Sequence, residues 1–224
     1  VKTVKTQAIV LRRTNYGEAD RILQLLTPNG KRCVMVKGAR REKSRLAGGI
    51  ELFAICEVVL GDGKGEIGVL TSARLIHFYR HIMEDYDRMQ FAYLAIKLVS
   101  KSCDMVDGPE WYDVLAETLA GLDAHSVNLG LIQTWFYLKY SSLMGYELSL
   151  WHDVCGDKLL ADNSYSYDIA ERGLRLSDNG DIGSNHIKLL RLISTRSLKV
   201  LAQVGGIEEV IGTCMATVNT HASI

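Results

Sequence analysis

Asp20 to Val36 reads DRILQLLTPNGKRCVMV, and this stretch decides the fold class. Asp20 to Thr27 is strand-like. Thr27-Pro28-Asn29-Gly30 carries proline and Asn-Gly turn chemistry, which folds the chain back into a hairpin. Lys31 to Val36 is the returning strand. Upstream, Thr6 to Arg13 alternates moderately and reads as another strand. Downstream, a loop from Lys37 ends at Gly48-Gly49, and Ile50 to Leu60 is again β-rich. Gly61-Asp-Gly-Lys-Gly65 reads as a tight turn, and Glu66 to Ala73 closes the set. Five short strands with one long loop and no helical period predict a small Greek-key barrel of the OB type.

After Arg74 the period changes. Tyr79, Ile82, Tyr86, Met89, Tyr93, Ile96 and Ser100 recur at steps of three and four, which predicts one long helix. Pro109 can open a second helix, with Trp111, Val114, Leu115, Thr118 and Leu122 as its apolar face. Leu129 to Met144 reads as a third, buried helix that Gly145 can end. Residues 148–183 are irregular. Asn185 to Ala202 reads as a helix with Ile187, Leu190, Ile193 and Leu198 on one face, and Ile207 to Ile211 as a short one. The tail to Ile224 carries no pattern. The expected architecture is therefore α+β, an OB-fold barrel over residues 1–76 followed by an all-α helical bundle over 77–224.

Charge is divided unevenly along the chain. Formal net charge is zero, yet residues 1–80 hold 15 Lys+Arg against 7 Asp+Glu, and the remainder holds 11 against 19. Such asymmetry points to one half built for a polyanion. The excess concentrates in Lys31 to Arg45, KRCVMVKGARREKSR, where Glu42 alone opposes seven cations. Lys37, Arg40, Arg41, Lys43 and Arg45 are the expected phosphate contacts, with Lys31 and Arg32 beside them. Arg12, Arg13 and Arg21 are weaker candidates, because a strand arginine also serves as an internal ion-pair partner. Tyr16 and Phe53 are possible stacking platforms, Phe53 more in keeping with the core.

Other chemistries find little support. Five cysteines without a CxxC pair fit reduced thiols in a cytosolic protein. The first residues lack the apolar run of a signal peptide, and Leu129 to Met144 is too short and too polar for a membrane span. No GxSxG, Walker A or strand-linked GxGxxG motif occurs, so no nucleotide hydrolysis is expected. His77, His81 and Asp85 stand at i, i+4 and i+8, which on a helix would align three metal ligands. That spacing is the basis of an alternative reading as a metal-dependent nuclease; an RNA-binding OB-fold protein is another.

Several segments together resemble the RecO family of bacterial DNA repair and recombination proteins. They are Leu11-Arg-Arg-Thr-Asn-Tyr-Gly-Glu-Ala-Asp-Arg-Ile-Leu23, Leu26-Thr-Pro-Asn-Gly-Lys31, Lys37-Gly-Ala-Arg-Arg41 and Leu46-Ala-Gly-Gly-Ile-Glu-Leu52. Ala73-Arg-Leu75, Tyr86 with Asp87, Glu110-Trp111-Tyr112, Tyr137-Leu-Lys-Tyr140 and Leu189-Leu-Arg-Leu-Ile193 extend the resemblance into the helical part. It covers most of residues 3–212. It implies an OB domain followed by a helical domain. It also implies a non-enzymatic recombination mediator that binds single- and double-stranded DNA and anneals complementary strands. The implied partners are RecR and the single-stranded-DNA-binding protein (SSB), and RecA indirectly, in the cytoplasm at the nucleoid and not at a membrane. Many family members carry a four-cysteine zinc site. Here His152 and Cys155 are followed by Leu176 and Asn179 where further ligands are expected, so residues 148–183 read as a degenerate zinc-ribbon-like segment with no metal and no other cofactor.

Overall fold

The structure is a computed structural model that describes residues 3–41, 44, 46–61 and 67–223. Its strands are β1 (Thr3–Tyr16), β2 (Asp20–Thr27), β3 (Gly30–Val36), β4 (Ala54–Gly61) and β5 (Gly68–Phe78). They form a closed barrel in the order β1-β2-β3-β5-β4, antiparallel except for the β3–β5 seam. This is the OB-type architecture expected from the sequence. The turn after β2 forms as its residues dictate. Thr27 pairs with Gly30, and the Thr27 hydroxyl donates to the Gly30 carbonyl at 2.9 Å. Ala8, Val10, Leu23, Leu25, Val34, Val36, Ile50, Ala54, Cys56, Val58 and Leu70 fill the barrel. Gly49 lies flat on β5, where a Cβ would stand 2.6 Å from the Ala73 carbonyl. The expected turn at 61–65 falls almost wholly outside the described residues.

The barrel packs with α1 (Tyr86–Ser102) and α2 (Glu110–Asp123) into one compact unit that ends at Asp123. Polar ties reinforce this packing. The Tyr112 hydroxyl lies 3.0 Å from Gln7 Oε1. Lys31 Nζ donates to the Ser100 carbonyl at 2.9 Å and to the Asp104 carboxylate at 2.8 Å. Arg88 is buried and donates to the Leu122 carbonyl at 3.0 Å, satisfying a carbonyl near the end of α2.

The junction after the barrel differs from expectation. β5 continues to Phe78, residues 80–84 form a 3-10 turn, and α1 begins only at Tyr86. Asp85 is its N-cap, accepting the Arg88 amide at 3.1 Å. His77, His81 and Asp85 therefore sit on a strand, a 3-10 turn and a cap, and do not share a helical face. His81 faces Asp123, with Nδ1 3.3 Å from the carboxylate.

The second compact unit, Ala124–Ile224, contains α3 (Leu129–Leu143), β6 (Tyr165–Asp168), β7 (Gly173–Leu176), α4 (Ser184–Thr195), α5 (Leu198–Leu201) and α6 (Ile211–Ala222). The single helix expected over 185–202 is broken after Thr195, and α5 follows Ser197. The short helix expected at 207–211 is a turn leading into α6, which the sequence did not disclose. α6 buries Ile211, Cys214, Thr217, Val218 and His221, so polar side chains occupy much of its inner face and obscure the period.

Residues 148–183 are held by a β6–β7 hairpin and a small core of Tyr165, Leu174, Ile182 and Ile187. His152, Cys155, Leu176 and Asn179 are exposed there. Among the described residues no group of three His, Cys, Asp or Glu is placed to hold a metal ion. Among them, too, no helix is long and apolar enough to cross a membrane.

Lys31→Met should lower the stability of the first unit by about 1–2 kcal/mol, because charge-assisted bonds are strong but Asp104 is largely exposed and screened. A shift of the urea midpoint measures it.

In the second unit, His221 Nε2 lies 2.7 Å from the Tyr146 carbonyl, so that nitrogen carries the proton. Nδ1 then accepts from the Tyr167 hydroxyl at 2.8 Å. Burial is the largest cause holding this imidazole below its ordinary value of 6.5; the Tyr146 carbonyl opposes the shift and the Arg172 guanidinium adds to it. The unfolded chain therefore takes up a proton that the folded chain resists. The stabilisation is present above about pH 6.5 and is lost as pH falls toward the depressed folded value. Between about pH 7 and pH 5, urea unfolding of wild type should show a steeper loss of stability than that of His221→Asn. Equal slopes would contradict this assignment.

Candidate nucleic-acid interface

The β1–β2 hairpin and the chain leaving β3 come together at one rim of the barrel. Gly38 follows Lys37 with φ +65°, a left-handed turn that suits glycine. Its N–H donates to Asp20 Oδ1 at 2.7 Å. Two residues on, the Arg40 N–H donates to the Ala19 carbonyl at 2.9 Å, and its guanidinium donates to the Gly17 carbonyl at 3.1 Å. Ala39, between them, is buried in the barrel core. The start of the basic loop is thus clamped to the turn between β1 and β2. Lys37, Arg40 and Arg41 emerge from the clamp exposed. Lys43 and Arg45 lie outside the described residues.

Strand register distributes the remaining cations. Arg13 stands opposite Leu23, and Asn15 opposite Arg21. Directly paired residues share a face, so Arg13 and Arg21 continue the inner face past the end of the core. Arg13 donates to Glu51 at 3.1 Å, and Arg21 Nε to Asn15 Oδ1 at 3.2 Å. Arg12 stands opposite Gln24 on the other face and is exposed. Lys31 and Arg32 do not join this group. Lys31 lies six residues before Lys37 on β3, roughly 20 Å away at about 3.3 Å per residue, and its ammonium is committed to α1. The structure therefore brings Lys37, Arg40, Arg41, Arg21 and Arg13 to one rim and leaves Lys31 and Arg32 at the far end of β3.

The aromatic candidates separate as well. Phe53 is buried, with its ring edge-on to Tyr93 at 4.9 Å between centroids. Tyr16 ends β1 and is exposed. Sequence reasoning named the cations but missed Asp20 and Gly17, which hold them. Their signal lies in the segment Tyr16-Gly-Glu-Ala-Asp20, where a glycine and an acid flank the hairpin turn.

Two thiols of this unit are chemically quiet. Burial is the main cause that pushes Cys56 and Cys103 up to about 11, which keeps them protonated at neutral pH. The rim offers fixed positive charge, a feature that suits phosphate oxygens.

Comparison with known proteins gives the family. The Recombination protein O N terminal family matches residues 1–79, and the Recombination protein O C terminal family matches residues 83–214. A DNA repair protein RecO from Dehalococcoides mccartyi strain 195 is 33% identical over 202 residues, covering 87% of this chain and 79% of that protein. One from Syntrophobacter fumaroxidans is 31% identical over 179 residues, 78% of this chain and 70% of that protein. The match to DNA repair protein RecO of Roseiflexus sp. is 32% identical over 168 residues and spans 59% of that protein's length. With an OB barrel covered by the first family and the helical part by the second, the chain belongs to the RecO family of DNA repair proteins.

Proposed function

We propose that this protein is a non-enzymatic DNA-binding mediator whose barrel rim grips the phosphate backbone of single- and double-stranded DNA without reading sequence. The observation that carries the proposal is the clamp that fixes Lys37, Arg40 and Arg41 as one exposed set on an OB barrel. Fixed cations neutralise phosphates without reading bases. Two strands repel each other, and a rim that neutralises both backbones lowers that barrier while leaving the bases free to pair. Annealing of complementary strands follows from the same charges.

On this reading the labour divides near residue 76. The barrel holds DNA, and the helical region meets protein partners: RecR, and SSB, whose tail is acidic with an aromatic end. With them the protein helps load RecA onto coated single strands in the cytoplasm at the nucleoid. Within the second unit, Leu138, Leu148 and Leu150 line a small depression of about 40 Å³. Lys139 stands at its rim, its ammonium donating to the Ser194 carbonyl at 2.8 Å. Nearby, Arg191 lies 3.9 Å over the Trp151 ring and donates to the Leu150 carbonyl. Both side chains are held by these intramolecular contacts, and it is their positive charge that favours an acidic peptide here. The nuclease reading has no observation in its favour, since His77, His81 and Asp85 stand on separate elements. An RNA ligand would use the same phosphate contacts and lacks a feature that favours it.

The test removes charge without touching the clamp. Lys37→Gln combined with Arg41→Gln should lower the salt slope of single-strand binding by about 1.4, near 0.7 for each lost phosphate contact. Annealing should slow in parallel, with an unchanged circular dichroism spectrum, because exposed charges contribute little to stability. An unchanged slope and annealing rate would place the DNA surface elsewhere. Tighter binding to RNA than to DNA of the same sequence would favour the RNA reading.

A further inference from the structure

We propose that Tyr16 is a base-stacking platform that gives this interface a component specific for single-stranded DNA; the proposal rests on the DNA-binding reading above. Tyr16 is the last residue of β1 and stands directly opposite Asp20. Cross-strand partners share a face, so its ring lies on the same side of the hairpin as the carboxylate that holds Gly38. The next residue, Gly17, supplies the carbonyl that anchors the Arg40 guanidinium. An aromatic ring and a phosphate-binding cation are thus fixed within one residue of each other. Two residues back along the same face are Thr14 and then Arg12, which extends the positive track.

The environment of Tyr16 sets it apart from the other exposed aromatic residues. Tyr16 is 55% exposed, and among the described residues its side chain makes no hydrogen bond, ring contact or cation–π contact. Tyr86 is also exposed, but its hydroxyl accepts from Gln90 at 2.8 Å. Tyr93 packs against Phe53, and Trp151 lies under Arg191. Those three rings have intramolecular work to do. The flanking residues Asn15, Gly17 and Glu18 are exposed and give Tyr16 no apolar pocket to fill.

The chemistry identifies the ligand class. Phosphates are available on single strands and duplexes alike, so Lys37, Arg40 and Arg41 do not distinguish them. A base in a duplex has both faces stacked on its neighbours, whereas a base in a single strand can place one on a tyrosine ring. A ring beside a phosphate-holding arginine therefore takes one nucleotide of a single strand, base on Tyr16 and phosphate at Arg40. Sequence tolerance is kept, because every base offers a π-face.

Fluorescence anisotropy with a labelled oligonucleotide and with its duplex at one salt concentration tests this. Tyr16→Ala should weaken single-strand binding roughly five- to one-hundred-fold, the range seen when a stacking side chain is removed, while duplex affinity stays within about twofold. The salt slope should not change, because no phosphate contact is lost. Tyr16→Phe, which keeps the ring, should bind as wild type does. No loss in Tyr16→Ala, or an equal loss on duplex and single strand, would overturn the stacking role and leave the phosphate grip standing. A wild-type protein with no measurable affinity for either ligand would overturn the DNA-binding reading and this inference with it.

Discussion

The double pairing of β1 is the constraint on which the rest of the first unit depends. β1 pairs with β2 from Ile9 to Tyr16 and with β4 from Thr3 to Ile9, so one strand closes both sides of the barrel. Ile9 pairs on both sides, with Leu26 and with Ile55. A register irregularity between Val10 and Arg12 falls at the crossover. Bulges of this kind bend a strand and increase its twist. Beyond it, β1 and β2 continue as a hairpin past the last residues of the barrel core. Arg13, Asn15 and Tyr16 lie on this continuation and are exposed.

The projecting hairpin gives the basic loop something to hold. Polar loops carrying many like charges tend to spread, and ordering them costs conformational entropy. Here the first turn of the loop is fixed by two of its backbone amides and by the Arg40 guanidinium on the Gly17 carbonyl. The Gly38 and Arg40 amides are satisfied by Asp20 and Ala19, and Ala39 is pressed into the core. This leaves the side chains of Lys37 and Arg41 unencumbered. Cations held in a fixed array lose less freedom on binding than a loose tail would. Lys31 illustrates the opposite use of a lysine: its ammonium is held by α1 and the Asp104 carboxylate, so on the proposed reading it stands apart from the rim.

Sequence pattern and structure agree where local chemistry decides. β2 begins and ends as its residues predict, and the Pro-Asn-Gly turn forms between Thr27 and Gly30. α2 and α3 also appear within a residue or two of expectation. The differences arise where tertiary partners decide. β5 reaches Phe78 because β4 supplies pairs for His77 and Phe78, although Tyr79 onward fits a helical period. α6 escapes detection because Thr217 and His221 take positions that apolar residues usually fill; His221 is satisfied by Tyr146 and Tyr167, far away in sequence. The cations of the proposed interface are legible from composition, but the clamp is not. It joins residues 18 and 23 positions apart, each bond pairing one side chain with one backbone group, and backbone partners leave no mark on side-chain pattern.

The most direct test of the account is to map the bound strand onto the protein. Titrating isotope-labelled protein with a short oligodeoxynucleotide and following backbone amide resonances locates the contact surface residue by residue. The account predicts that the largest shifts fall on Gly17, Asp20, Gly38, Arg40 and their neighbours, with Lys31, Arg32 and the residues after Asp123 little changed. Shifts concentrated on residues 124–223, or on β3 around Lys31 and Arg32, would contradict it.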